Sequence, residues 1–388
     1  MKNNQTSLGR RLRLGVVGGG LSSFIGSVHR GAALMNGQYE VTAGVFSSDP
    51  LRSLAAAEQL LVPRGYGSAA QMIRAESLRD DGIDVIAIMT PNNSHYEIAS
   101  LALEHNLHVM CEKPLTNSLE EALALEKQVQ KSQQKFCVAY CYSGYPMVRQ
   151  AKAMIAAGDL GEIRMVQCNY VQGHLAQLTD SELDQSNWHM EPAIAGPDLI
   201  VGDIGTHCYH LANFVSGMMP SEISADNCTL VPGRKATDYT NIQLRYSNGA
   251  RGSLWITQAA AGAEHGLYLR VFGSKGGIEW SQEQPNELLY RRLDAPAQCL
   301  VKGGPGLYDM ANQASQMAIG HPEGYRESFA TLYADFAESI IASKLGRENK
   351  PLSEVYPKIT DGVQGVSFIQ ATVDSSGKNG AWVKLDCI

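Results

Sequence analysis

The chain lacks a positive charge balance, a long apolar run and paired cysteine motifs, and each absence excludes a class of function. Its 32 lysines and arginines are outnumbered by 39 aspartates and glutamates, giving a net charge of −7. With a pI near 5.8, this argues against a nucleic-acid partner gripped through its phosphates. The densest basic cluster, Arg10, Arg11 and Arg13, lies on the N-terminal lead-in and is expected to solvate a disordered end. No stretch approaches the ~18 apolar residues of a membrane span, so no membrane partner is expected. Met1–Arg13 is polar and basic, and the apolar stretch after it is broken by Gly18, Gly19 and Gly20, unlike a secretory signal. The 8 cysteines form no paired Cys-x-x-Cys clusters, and read as reduced, mostly buried thiols of a cytoplasmic protein. Cys137 with Cys141, and His207 with His210, could suggest a metal, but no paired Cys-x-x-Cys clusters with finger-like spacing accompany them, so no metal is expected.

What is present describes a globular protein of two domains: 388 residues, 44% hydrophobic and 18% charged. Short apolar runs at Leu12–Val17, Tyr39–Phe46, Val85–Met89, Leu107–Cys111 and Phe136–Tyr140 alternate with helical patterns. That alternation predicts an α/β first domain, residues 1–140, built on a doubly wound parallel sheet. Beyond it, alternating runs at Ile163–Val171, Thr240–Tyr246, Arg251–Thr257, Leu267–Phe272 and Gly277–Trp280 carry a hairpin signal at Asn248-Gly249. They predict an α+β second domain, residues 141–388, with a large open and mainly antiparallel sheet. Two stretches without clear periodicity, Leu175–Pro197 and Ala295–Gly320, read as a loop crossing the site and as a lid or oligomer arm.

The first run leads into Gly18, Gly20 and Ser23, which occupy the three positions of G-x-G-x-x-G with serine in place of the last glycine. Strand before and helix after supply the context for dinucleotide binding, where bare backbone approaches a pyrophosphate at a helix N-terminus. Ser23 is expected to loosen the helix–sheet packing slightly. An acidic residue at the end of the second strand would hold the adenosine ribose hydroxyls. Ser47 and Ser48 stand there instead, with Asp49 beyond and Arg52 a few residues later. Two hydroxyls and a guanidinium suit a 2′-phosphate, so the reading leans to NADP. The alternative is NAD held through Ser47 and Asp49, with Arg52 merely solvated.

Two further strings carry ionisable residues beside turn formers: Glu112-Lys113-Pro114 after the run Leu107–Cys111, and Asp203-Ile204-Gly205-Thr206-His207. The first falls at the carboxyl edge of a parallel strand, where ligands bind, and Pro114 restricts the backbone that aims Lys113. In the second, aspartate and histidine stand four apart, one helical turn on a single face. Lysine, aspartate and an imidazole that titrates near neutrality are the parts needed to move a proton while a nicotinamide moves a hydride.

In this order the strings resemble the glucose–fructose oxidoreductase / inositol dehydrogenase / rhizopine-catabolism (Gfo/Idh/MocA) family, over nearly the whole chain and most strongly from Leu12 to about Leu211. The resemblance implies a Rossmann domain and an NAD(P)-dependent dehydrogenase acting on a secondary hydroxyl of a sugar, glycoside or inositol. It implies that Lys113 contacts the reacting oxygen and the cofactor ribose, that Glu112 adds to the cofactor pocket, and that Thr90, Pro91, Asn92 and His95 form the turn beneath the nicotinamide end. It further implies His207 as general base and Asp203 as its charge partner and a substrate contact. His210 stands where many relatives carry an acid, and Trp188–His189 where relatives carry Trp-Arg; loss of that arginine argues against an anionic substrate. Tyr142, Tyr145, Arg149, Gln172, His174 and His321 complete the candidate substrate residues, each with packing or surface exposure as an equal reading. The family also implies a homodimer or homotetramer. Two other activities share the scaffold: glycoside cleavage by transient hydride transfer without net cofactor turnover, and non-catalytic sensing. Sensors of this type lose the lysine or histidine that this chain keeps.

Overall fold

The computed structural model describes residues 7–177 and 192–385, so Trp188 and His189 lie outside the described residues. It divides into two compact units. The first takes the chain up to Thr116, then Glu120–Gly144 and Tyr325–Gly362; the second takes Asn117–Leu119, Tyr145–Gly324 and the chain from Val363. Among the described residues no helix is long and apolar enough to cross a membrane.

The first unit alternates strand and helix: β1 Leu12–Gly18, α1 Phe24–Met35, β2 Tyr39–Val45, α2 Pro50–Gln59, β3 Arg64–Gly65, α3 Ala69–Ser77, β4 Val85–Met89, α4 His95–Glu104, β5 His108–Cys111, α5 Leu119–Lys131 and β6 Phe136–Val138. The strands form one parallel sheet in the order β3-β2-β1-β4-β5-β6. β4, Val-Ile-Ala-Ile-Met, is buried throughout, as a strand covered on both faces must be. The strand order reverses between β1 and β4, and at that switch point the carboxyl ends open a crevice for ligands.

The segment Tyr325–Gly362, expected in the second domain, packs instead with the first unit, and the reason is specific. Its helix α10, Tyr325–Leu345, covers α1: the Tyr39 hydroxyl donates to the Tyr333 carbonyl at 3.1 Å, and the Tyr333 hydroxyl meets the fully buried His29. The basic lead-in is corrected as well. Arg10 grips Asp84 with two nitrogens at 2.6 and 2.9 Å, and Arg13 reaches the carbonyls of Asp80 and Gly82. These arginines fasten the edge of β1 rather than solvating a loose end.

The second unit holds a nine-stranded sheet in the order β14-β13-β12-β11-β7-β10-β9-β8-β15. Its strands are β7 Ile163–Val171, β8 Pro220–Cys228, β9 Tyr239–Tyr246, β10 Arg251–Thr257, β11 Leu267–Gly273, β12 Gly276–Ser281, β13 Glu287–Arg292, β14 Gln298–Val301 and β15 Val383–Lys384. Every pairing is antiparallel except β7 with β10. Its helices are α6 Pro146–Ala156, α7 Pro192–Ala195, α8 Thr206–Ser216 and α9 Asp309–Ala314, while α11, Ile359–Gly377, runs across the division of the chain. One sheet face buries Val166, Cys168, Leu254, Ile256 and Leu269; the other leaves Met165 and Trp255 exposed.

The stretch Ala295–Gly320 is ordered, contrary to its lack of periodicity. It contains β14 and α9, and the buried Lys302 ammonium clasps it by donating to Glu323 at 2.7 Å and to the Met317 carbonyl at 2.8 Å. A buried ion pair leaves no periodic trace in a sequence.

Candidate functional site

β1 runs out at Gly18, whose φ of +86° suits glycine and whose added Cβ would lie 2.4 Å from the Met89 carbonyl oxygen. Gly19 and Gly20 are equally confined: a Cβ would come 2.7 Å from the Gly26 Cα in the one case and 2.7 Å from the Phe46 oxygen in the other. The bare loop is therefore pressed between the ends of β4 and β2 and the start of α1, and Arg30 ties it down by donating to the Gly19 carbonyl. Ser23 is the N-cap of α1, its Oγ accepting from the Gly26 N–H at 3.1 Å. The close helix–loop contact is made at Gly26, where a Cβ would sit 2.4 Å from the Gly19 Cα. The expectation that Ser23 loosens this packing is thus corrected: serine caps, and glycine three residues on lets the helix approach. Side-chain-free backbone before the N-terminus of a 12-residue helix fits a pyrophosphate.

At the end of β2, Ser47 is half-buried while Ser48, Asp49 and Arg52 are exposed. Ser47 Oγ accepts from the Asp49 N–H at 3.1 Å, and the Asp49 carboxylate caps α2 by accepting from the Arg52 N–H at 2.8 Å. That carboxylate is engaged by its own helix, and the Arg52 side chain extends from the first turn.

Beyond β5, Glu112 donates its backbone N–H to the Ile88 carbonyl at 2.9 Å, and the Lys113–Pro114 peptide is cis. The Glu112 carboxylate is buried and held from two sides: Oε1 lies 2.9 Å from His29 Nε2, and Oε2 accepts from the Lys113 N–H at 3.1 Å. His29 Nδ1 in turn lies 2.8 Å from the Tyr333 hydroxyl. Burial alone would raise the Glu112 pKa, but the His29 hydrogen bond and the Lys113 ammonium together hold it below the ordinary carboxylate range. Lys113 itself is half-buried. His95, expected beneath the cofactor, is fully buried, with Nδ1 3.0 Å from the Pro114 carbonyl and Nε2 3.0 Å from that of Thr90. It joins the turn after β5 to the turn after β4. Burial lowers its pKa, against the pull of those two carbonyls. Ser94 bonds Thr90 Oγ1 at 2.7 Å, and Asn92 is buried. Tyr142 lies buried in the same unit, its ring 6.2 Å from that of Tyr325.

In the second unit Asp203 lies in a π-helical turn, Val201–Gly205, that runs directly into α8 carrying His207. The expected single α-turn is thus a wider one, a feature frequent at functional sites. Gly205 makes the approach to β10 possible, since a Cβ there would press to 3.2 Å from Ile256. Asp203 is half-buried and His207 buried, its ring 6.4 Å from that of Tyr170. Asp203 Oδ2 accepts from Gln258 Nε2 at 3.1 Å, and Gln258 also reaches Gln172 at 3.2 Å. Gln172 was foreseen; Gln258, His265 and Tyr170 were not, because nothing in a strand pattern marks which residue ends beside Asp203. His174 is exposed at the edge of this cluster; partial desolvation lowers its pKa, the Asp203 charge opposes, and the Arg234 charge lowers it further. Tyr145 packs against Trp280 at 5.4 Å, Arg149 is buried in α6, and His321 is exposed. His210 is buried and stacks on Phe214 at 5.7 Å. Among the described residues no group of three or more metal-ligating side chains is assembled.

Residues 12–140 match the family described as an oxidoreductase family with an NAD-binding Rossmann fold, and residues 148–279 match the GFO/IDH/MocA C-terminal domain. The chain is 36% identical, over 99% of its length and 100% of the relative's, to the uncharacterized oxidoreductase YfiI of Bacillus subtilis (strain 168). Among solved structures it is similar to an inositol dehydrogenase homolog of Azotobacter vinelandii complexed with NAD+, at 35% identity, TM-score 0.92 and 97% coverage of each chain. It is also similar to a levoglucosan dehydrogenase in complex with NADH and levoglucosan, at 26% identity and TM-score 0.84, covering 98% of this chain and 100% of that one.

Proposed function

The chain belongs to the Gfo/Idh/MocA oxidoreductases, and from that premise we propose that it exchanges a hydride between a secondary hydroxyl of a sugar, glycoside or inositol and NAD(P). The observation that carries the reading is the buried His207 on the helix that continues directly from the turn of the half-buried Asp203, in a chain whose first unit presents Lys113 at the carboxyl edge of a parallel sheet. Relatives whose structures carry inositol and levoglucosan dehydrogenase names support the substrate class.

When bound, the nicotinamide dinucleotide supplies the hydride acceptor or donor. In this reading Gly18, Gly19 and Gly20 hold the pyrophosphate, and Thr90, Pro91 and Asn92 line the nicotinamide end. His207 takes the hydroxyl proton, Asp203 steadies the resulting imidazolium, and the Lys113 ammonium stabilises negative charge on the carbinol oxygen. Gln172, Tyr142, Tyr145 and His174 are proposed substrate residues. With the Asp49 carboxylate committed to its helix, the hydroxyls of Ser47 and Ser48 and the Arg52 guanidinium suit a 2′-phosphate, so NADP is the expected preference.

The test is to follow nicotinamide absorbance over a panel of inositols, free hexoses and glycosides, with NAD and NADP offered separately. Turnover with neutral polyhydroxy compounds, faster with NADP, is expected. No response anywhere, with no tightly held nucleotide in the purified protein, would sink the reading; glycoside cleavage without net absorbance change would replace it by hydride-assisted cleavage.

A further inference from the structure

Three strand ends meet beside Asp203. Because β7 and β10 are parallel neighbours, their carboxyl ends emerge side by side, placing Gln172 next to Gln258. β11 runs antiparallel to β7, so its lead-in, His265 and Gly266, arrives at the same end. There Glu283 Oε1 fixes the lead-in by accepting from the backbone N–H groups of His265 and Gly266 at 3.0 and 2.9 Å.

The side chains form a single hydrogen-bonded series. Gln258 Nε2 serves both Asp203 Oδ2 and Gln172 Oε1; Gln172 Nε2 faces His265 Nδ1 at 3.2 Å; His265 Nε2 faces the Tyr170 hydroxyl at 2.7 Å. Its polarity follows from one end. A carboxylate only accepts, so Gln258 must present its NH2. Gln172 must answer that NH2 with its carbonyl, which turns its own NH2 to His265 Nδ1. That nitrogen therefore carries a lone pair, and the ring proton sits on Nε2, donated to Tyr170. Neither amide can reverse alone: turning Gln172 sets NH2 against NH2, and turning Gln258 sets a carbonyl against the carboxylate.

We propose that Gln258 and Gln172 are positioning residues that pass the acceptor-only character of Asp203 to His265, fixing the carboxylate in one orientation and the imidazole as its neutral, Nε2-protonated form. This rests on the reading of Asp203 and His207 as the proton-handling pair. Tyr170 stands between the imidazoles, its ring 6.4 Å from that of His207 and 5.2 Å from that of His265. Held neutral, His265 does not compete with His207 for the hydroxyl proton. Among the described residues the charged or titratable groups shown to act on His265 are Glu283, His174, Asp203 and Tyr170; burial lowers its pKa, Glu283 and Asp203 oppose, and His174 lowers it further.

The experiment is long-range proton–nitrogen NMR on the full chain labelled at histidine, without substrate or nucleotide, His265 being assigned with His265→Gln. The wild type should show the Nε2-protonated pattern at neutral pH. Gln172→Glu, nearly isosteric, turns an acceptor to Nδ1 and should raise the His265 titration midpoint by about one pH unit or more. Gln258→Met releases Gln172 to turn, and the Nδ1-protonated form should appear. An Nδ1-protonated wild type, or a His265 signal indifferent to both substitutions, overturns the proposal. A failed polyol screen would instead sink the dehydrogenase reading and leave the tautomer measurement standing.

Discussion

His207 is where the proposed chemistry is most exposed to test. It is buried, its ring 6.4 Å from that of Tyr170 on β7, and removing that ring takes away the proposed proton acceptor while leaving the sequence of the glycine loop unchanged. His207→Ala should lower kcat by about 10²–10⁴-fold, the usual worth of a positioned general base. Nucleotide affinity, read by fluorescence titration, should stay constant; a parallel loss of binding would make this histidine a packing residue. Its candidacy was legible in the sequence because Asp203, Gly205 and His207 come as a string. The series leading from Asp203 was not, because Gln258 reaches Asp203, and His265 reaches Gln172, through strand register, which emerges only when the sheet forms.

At the scale of elements, the entry to α1 divides two roles that the glycine pattern merges. Ser23 Oγ caps the helix, whereas Gly26 admits the Gly19 backbone. Gly26→Ala should therefore cost about 1–3 kcal/mol of stability through overpacking and weaken nucleotide binding with it. Ser23→Ala should cost about 1 kcal/mol through the lost cap, with binding preserved. Thermal unfolding beside nucleotide titration separates them, and equal binding losses would return Ser23 to the role of third glycine. The βα alternation of the first unit could be read directly, since fully buried strands such as Val85–Met89 are apolar from end to end. The strands β8, β13 and β14 escaped because polar residues interrupt them, and their alternation is weak.

For the whole molecule, an electrostatic dependence open to direct test is at Asp84. Burial would raise its pKa, yet Arg10, the Arg13 N–H and Lys344 hold it down at about 2. A carboxylate depressed on folding adds stability above its unfolded pKa and loses it as pH falls through the folded one. The gap corresponds to about 2 kcal/mol, lost between roughly pH 4 and pH 2. Urea unfolding should find Asp84→Asn less stable than wild type at neutral pH, with the difference closing in acid. A difference that persists at pH 2 would show that shape, not charge, matters there.

The seat of α10 against α1 also bears on how the protein is made. Its residues leave the ribosome only after everything from Tyr145 to Gly324, so the nascent nucleotide-binding half emerges with His29 and Tyr39 still waiting for Tyr333. The half that begins first is completed only after most of the other has been made.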